Sequence, residues 1–339
     1  MAKVLVTGGS GFLAGWVIVN LLNNGHTVRS TLRDLGKENQ VRRNIGIEAK
    51  DTSALEFVKT DLMNDTGWET AVTGCKYVLH IAAPVGVHSP RDPNDLIVPT
   101  RDGALRVLSA ACQAGVRRVV MTSAVEACRP PLSSEDSVAD ESRWTDIKDR
   151  QIGPYRLAKT LAERAAWEFM NRQTSETTLT TILPGAVIGP VLNADYVGSL
   201  QLPIRIMSGR MPRYPKLGFC VADVRDVADL HVRAMLSPDA AGQRFIAASD
   251  WMWLADITAL LASCFPDYAE RMPTRPMPNW VLRLVALFNG EMRFVAPLIA
   301  RKHVFTADKA RLTLDWDPRP AAETIVDAAQ SAIAIGAVK

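Results

Sequence analysis

From its first residues the chain alternates short, almost wholly apolar runs with longer segments of helical periodicity. Residues 4–7, 27–32, 55–60, 77–81 and 118–123 read as strands rich in β-branched residues. Residues 11–23 and 96–114 read as helices, closed by Gly25 and Gly115. A long helix at 155–171 and a strand at 179–183, stopped by Pro184-Gly185, continue the series. Strands without a polar face belong in a sheet covered on both sides. Alternation at this spacing predicts βαβ units and an α/β fold with a doubly wound parallel sheet.

Beyond residue 185 the pattern loosens. Prolines recur at 190, 203, 212 and 215, and short elements replace the regular alternation. The expected organisation is a nucleotide-binding domain over 1–185, completed by segments around 219–248, and a smaller, discontinuous C-terminal region over 186–339. Within it, 219–224 and 244–247 are candidates to return to the main structure. The apolar stretch 280–300 is interrupted by Arg283, Glu291 and Arg293, which suits an amphipathic helix and is too polar to span a bilayer. Trp280 to Phe294, at helical spacing, reads as core rather than membrane anchor.

Composition narrows the classes without deciding among them. Apolar residues make up 47% and charged residues 22%, which excludes disorder. A net charge of +3, with Lys and Arg dispersed, gives no nucleic-acid footprint. The five cysteines are far apart and lack metal-ligand spacing, so they read as reduced thiols of a cytoplasmic protein with no metal site.

The chemistry begins at Thr7-Gly8-Gly9-Ser10-Gly11-Phe12-Leu13-Ala14, between the first strand and the first helix. Such a turn needs one glycine for tightness, one to admit a pyrophosphate to the backbone, and a small residue where helix meets strand; Gly8, Gly11 and Ala14 fit these roles. The helix N-terminus then offers N–H groups and a positive dipole end to phosphate. This makes the sheet a Rossmann sheet and the ligand a dinucleotide. At the end of the second strand, Thr31-Leu32-Arg33-Asp34, with Lys37 nearby, sets the choice of cofactor. Arg33 favours the 2′-phosphate of NADP, and Asp34 keeps NAD as the minority reading. Asp61-Leu62 is placed to border the adenine, although Asp61 could equally cap a helix before Trp68.

Tyr155-Arg156-Leu157-Ala158-Lys159 puts a phenol and an ammonium four residues apart on one helix face. The lysine favours phenolate, and the tyrosine can pass a proton to or from a carbonyl oxygen. His80 reads as a packed residue near the cofactor, and His88 as a loop residue.

Taken together these segments resemble the extended short-chain dehydrogenases/reductases, and within them the dihydroflavonol reductase-like branch of bacterial-type aldehyde and ketone reductases. The matching residues are Thr7 to Leu13, Val28 to Asp34, Asp61-Leu62, His80-Ile81-Ala82-Ala83-Pro84, Val119 to Ser123, Tyr155 to Lys159, Pro184-Gly185 and Asp223 to Ala228. The resemblance covers essentially the whole chain. It implies an NADP(H)-dependent oxidoreductase that reduces a small hydrophobic carbonyl compound reversibly, as a carbonyl reductase or alcohol dehydrogenase. By that resemblance Tyr155 is the proton donor and Lys159 tunes it and holds the nicotinamide ribose. Gly8, Gly11, Phe12 and Leu13 meet the pyrophosphate, Arg33 and Lys37 the 2′-phosphate, and Asp61 and Leu62 the adenine. Ala82, Ala83, Pro84 and Thr122 line the riboses, and Pro184, Gly185 and Val187 sit beside the nicotinamide. The region after 185 walls the substrate cleft. A homodimer is compatible with the two long helices, and nothing in the sequence requires it.

One position departs from the family. The serine or threonine expected after the fifth strand, which hydrogen-bonds the substrate oxygen, falls on Ala124. Loss of one such donor costs about 2.7–4 kcal/mol of transition-state stabilisation. Three accounts stay open: Ser123 substitutes, though strand alternation turns it to the other face; a water replaces the hydroxyl; or the chain is a weakened or altered variant. Two rival functions follow. One is a nucleotide-sugar epimerase or dehydratase with bound NAD, against which Arg33 speaks. The other is a non-catalytic NADP-binding regulator, which Ala124 alone supports.

Overall fold

The computed structural model describes residues 1–83, 92–132, 134–149, 152–193, 200–288 and 296–338. Its centre is a seven-stranded sheet of β1 (Lys3–Val6), β2 (Thr27–Leu32), β3 (Leu55–Lys59), β4 (Tyr77–His80), β5 (Arg118–Thr122), β7 (Thr178–Pro184) and β10 (Arg244–Ala247). The order is β10-β7-β5-β4-β1-β2-β3, and every pairing is parallel. Chain order reverses between β1 and β4, the position at which doubly wound sheets open a crevice at their carboxyl ends. Val4, Leu5, Val6, Val119 and Val120 are wholly buried, as the apolar strands require.

Helices cover both faces. On one, α1 (Phe12–Asn23) packs against α7 (Val224–Leu236); on the other, α3 (Trp68–Val72) and α4 (Asn94–Gln113) pack with α5 (Pro154–Asn171). Helix α1 is apolar nearly all round because sheet and α7 bury Val17, Ile18 and Leu21 between them. It ends at Gly25, whose φ of +76° lets Gly25 N reach Leu22 O and His26 N reach Leu21 O. Helix α5 starts one residue before the expected position, because Pro154 follows Gly153 and proline fits the first helical turn.

The two candidate returning segments part company. Arg244–Ala247 becomes β10, the sheet's outermost strand. Gly218–Asp223 becomes β9, at the middle of a separate three-stranded sheet between β8 (Ala186–Ile188) and β11 (Trp251–Trp253). That sheet shares a core with α6 (Gln201–Met207), α8 (Leu254–Cys264) and the final helix Ala321–Ala334. Leu200, Ile204 and Ile206 are buried in this core. A two-stranded sheet pairs β6 (Ser137–Ala139) with β12 (His303–Phe305).

The reading of Trp280 to Phe294 as core fails over its described part. Helix Asn279–Phe288 buries Leu282 and Ala286, whereas Trp280, Leu284, Leu287 and Phe288 are exposed, Phe288 by 86%. No described helix is long and apolar enough to cross a membrane.

Candidate active site

The glycine turn is held by backbone. Gly11 N donates to Gly8 O at 2.8 Å, and Gly9 N donates to Thr31 O at 3.0 Å. Gly8 has a φ of +76°, and a Cβ there would lie 2.8 Å from the Ala82 Cβ. A Cβ on Gly9 would lie 2.1 Å from Ser30 Oγ, so the middle glycine, which the motif leaves without a role, is required where turn meets β2. Gly11 caps α1 without a side-chain hydrogen bond, which leaves the helix N-terminus to a ligand.

Before that terminus lies a cleft of 850 Å³ lined by Gly8, Gly11, Phe12 and Leu13 on one side. Arg33 and Lys37, then Asp61 and Leu62, and finally Ala82 and Ala83 complete its wall. Ten of the residues expected at the cofactor thus meet around one opening. Among the described residues neither the Arg33 nor the Lys37 side chain has an ion-pair or hydrogen-bond partner. Asp34 is committed, its Oδ1 accepting from Gly36 N at 2.9 Å to cap the turn Leu35–Lys37. Asp61 accepts from Met63 N and so caps its own turn, while Gly67, not Asp61, precedes the helix at Trp68. Thr60, which the sequence reading passed over, lines the same cleft with a buried, unpartnered Oγ1. A cradle that a Cβ would fill, a vacant buried hydroxyl and two uncommitted cations fit a dinucleotide carrying an extra phosphate.

Thr7 fixes the wall opposite the turn. Its Oγ1 accepts from Ile81 N and Ala82 N, both at 3.0 Å, and contacts His80 Nδ1 at 3.0 Å. With two amides donating, the hydroxyl proton goes to Nδ1. Burial first, and the Lys159 charge second, push the His80 pKa down to about 3, so the ring stays neutral.

The remaining expected residues stand beyond β4, off the lining of that cleft. Lys159 is buried on α5 and donates from Nζ to Thr122 O at 3.4 Å; burial lowers its pKa to about 8 although Glu163 opposes the shift. Tyr155, half-buried one turn earlier, has its pKa raised by burial and then by the Glu126 carboxylate. In the cofactor-free structure burial and Glu126 thus outweigh the pull towards phenolate expected of Lys159, and Tyr155 keeps its proton. Glu126, missed by the sequence reading, is gripped by Arg129 and Arg156, which together hold its pKa down to about 2 despite burial. A neutral phenol beside a largely protonated ammonium can give a proton to an oxygen that gains charge.

The hydroxyls at the end of β5 are both spoken for. Thr122 Oγ1 bonds His231 Nε2 at 2.8 Å, while His231 Nδ1 bonds Val227 O at 2.7 Å. Ser123 Oγ donates to Glu163 Oε2 at 2.6 Å in the interior. The structure thus turns Ser123 away from the substituting role considered for it, as strand alternation implies, and leaves the buried Ala124 at the expected hydroxyl position. Pro184 ends β7, Gly185 passes so close to Cys220 O that a Cβ would lie 2.5 Å from it, and Val187 lies half-buried on β8. Pro84 and His88 lie outside the described residues.

Residues 4–248 match the NAD dependent epimerase/dehydratase family. The chain is 33% identical over 277 residues to cinnamoyl-CoA reductase 1 of Arabidopsis thaliana, covering 80% of this chain and 77% of that protein. It is 32% identical over 279 residues to dihydroflavonol 4-reductase of Zea mays, with 80% and 77% covered. Among solved structures, yeast methylglyoxal/isovaleraldehyde reductase complexed with NADPH superposes with a TM-score of 0.82 at 25% identity, over 99% of this chain and 100% of that one.

Proposed function

The chain belongs to the NAD dependent epimerase/dehydratase family, and from that premise we propose that it is an NADP-dependent oxidoreductase reducing an aldehyde or ketone to an alcohol. The observation that carries the reading is the Tyr155–Lys159 pair at the end of β5, with Lys159 tied to Thr122 O and the tyrosine protonated. The three similar proteins named above are reductases, which supports it. Bound in the cleft, NADPH would supply the hydride. Arg33 and Lys37 would hold the 2′-phosphate, and the α1 N-terminus the pyrophosphate. Tyr155 would give its proton to the substrate oxygen, and the Lys159 ammonium would stabilise the phenolate left behind and hold the ribose. The substrate is a small apolar carbonyl compound, in keeping with the alanine at 124. Five free cysteines suit a reducing, cytoplasmic setting.

A second reading has one observation behind it. With Thr122 and Ser123 engaged elsewhere and Ala124 without a hydroxyl, side chains 122–124 offer the substrate oxygen no donor, which favours a slow enzyme or a non-catalytic NADP binder. The test is NADPH consumption against aryl and alkyl aldehydes and ketones, with NADH in parallel. Turnover that prefers NADPH and vanishes in Tyr155→Phe supports the reductase. NADPH binding without turnover, restored by Ala124→Ser, identifies a disabled enzyme. Tight binding with no turnover in either protein leaves the binder.

A further inference from the structure

A fully buried carboxylate lies behind the proposed site. Glu163 has no exposed surface, and its two oxygens serve five groups. Oε2 accepts from Ser123 Oγ at 2.6 Å and from Arg244 Nη2 at 3.2 Å; Oε1 accepts from Thr181 Oγ1 at 2.7 Å, Arg244 Nε at 2.8 Å and Trp167 Nε1 at 3.3 Å. The residues come from α5, β5, β7 and β10, so one carboxylate ties the helix bearing Tyr155 and Lys159 to three adjacent strands. Arg244 is anchored in turn by Glu141 O and by the Trp144 ring, 3.8 Å from its guanidinium carbon.

A buried ion pair contributes little to stability compared with apolar packing of the same volume. This one occupies the face of β5 behind the chemistry, so specification of geometry is the better account. We propose that Glu163 is the positioning residue of this site: through Ser123 it fixes the end of β5, whose Thr122 carbonyl receives the Lys159 ammonium, and its carboxylate stands one turn along α5 from that lysine. The proposal rests on the reductase reading for its activity readout, but not for its binding readout.

The titratable groups that act on Lys159 are Glu163 on its own helix and His80 on β4, and His80 is neutral near pH 8. Arg244 on β10, Ser123, Thr181 and the raised Cys128 thiol face Glu163. The dissociation constant of NADPH, followed by fluorescence between pH 6 and 10, should therefore bend upward near pH 8 as Lys159 loses its proton. In Glu163→Gln the bend should move down by about one pH unit, since a neighbouring opposite charge is lost. In Ser123→Ala it should stay in place while kcat falls about tenfold, and Ser123→Thr should restore kcat. Glu163→Asp keeps the charge but cannot reach Ser123, and should copy Ser123→Ala. An unmoved bend in a folded Glu163→Gln, or Ser123→Ala within twofold of wild type, overturns the proposal. If neither Glu163 variant folds, the Ser123→Ala result alone decides. Wild-type protein that binds NADPH but reduces no carbonyl sinks the reductase reading and leaves the bend as the test.

Discussion

The ends of β1 and β5, separated in the sheet only by β4, are built by opposite means. At β1 the polypeptide itself makes the site: a positive φ at Gly8, close packing at Gly9 and a bare helix N-terminus at Gly11. Among the described residues no ionised side chain is buried there. At β5 the site is made by side chains, with Lys159 desolvated, Glu126 held by two arginines and Glu163 sealed behind Ser123. A backbone-built site tolerates no added carbon but carries no desolvation cost. A side-chain-built site has its chemistry tuned by burial, and its charges oppose folding.

The largest effect expected of this difference is Tyr155→Phe. It should lower kcat by about 10²–10⁴-fold, the span for a lost general acid, with NADPH affinity within twofold of wild type. A comparable loss of binding would mean the two ends are not separable. Gly8→Val should do the reverse. Strain of about 1–3 kcal/mol at a positive φ should weaken NADPH binding about 10–100-fold, with kcat at saturation retained; titration calorimetry and steady-state kinetics separate the two.

Arg33→Ala sharpens the comparison within the cofactor cleft. Hydrogen bonds to a charged group are worth about 1.5–3 kcal/mol, so NADPH binding should weaken by roughly one to two orders of magnitude while NADH binding is unchanged. Equal loss for both would refute the 2′-phosphate assignment.

The smallest effect probes what buried charge does to folding. In Lys159→Met the cofactor-free protein should be more stable at pH 7 by about 1 kcal/mol, as when a buried charge is replaced by an apolar group, although inactive. The sign follows from the depressed pKa of about 8 against 10.5 in the unfolded chain. Between those values the unfolded chain binds the extra proton, so wild type gains stability as pH rises and the variant's advantage should vanish near pH 10. Thermal melts at pH 7, 8.5 and 10 measure this; an advantage independent of pH would show that Lys159 has the same pKa folded and unfolded.

The same contrast explains what could be read beforehand. The turn at Gly8 was legible because its residues are adjacent in sequence and backbone geometry is set locally. The Tyr155–Lys159 pair was legible because a helix brings residues four apart onto one face. Thr60, Glu126, Glu163 and His231 were not. Glu163 and His231 take partners far off along the chain, as when Ser123 meets Glu163, Thr122 meets His231 and Glu163 meets Arg244; Glu126 takes Arg156 as well as nearby Arg129, and Thr60 Oγ1 has no partner among the described residues. The exposed side of helix Asn279–Phe288 misled for the same reason, since periodicity reports an apolar face without saying what packs on it.

The sequence by itself determined the parallel sheet, the glycine cradle, the cation at the end of β2 and the tyrosine–lysine spacing. Each rests on local periodicity or on a single residue's backbone freedom. Only the tertiary structure decided that Ser123 faces Glu163 rather than the cleft, and that burial and Glu126 raise the Tyr155 pKa. Those outcomes depend on desolvation and on charges from distant strands, and neither is fixed until the chain has closed around them.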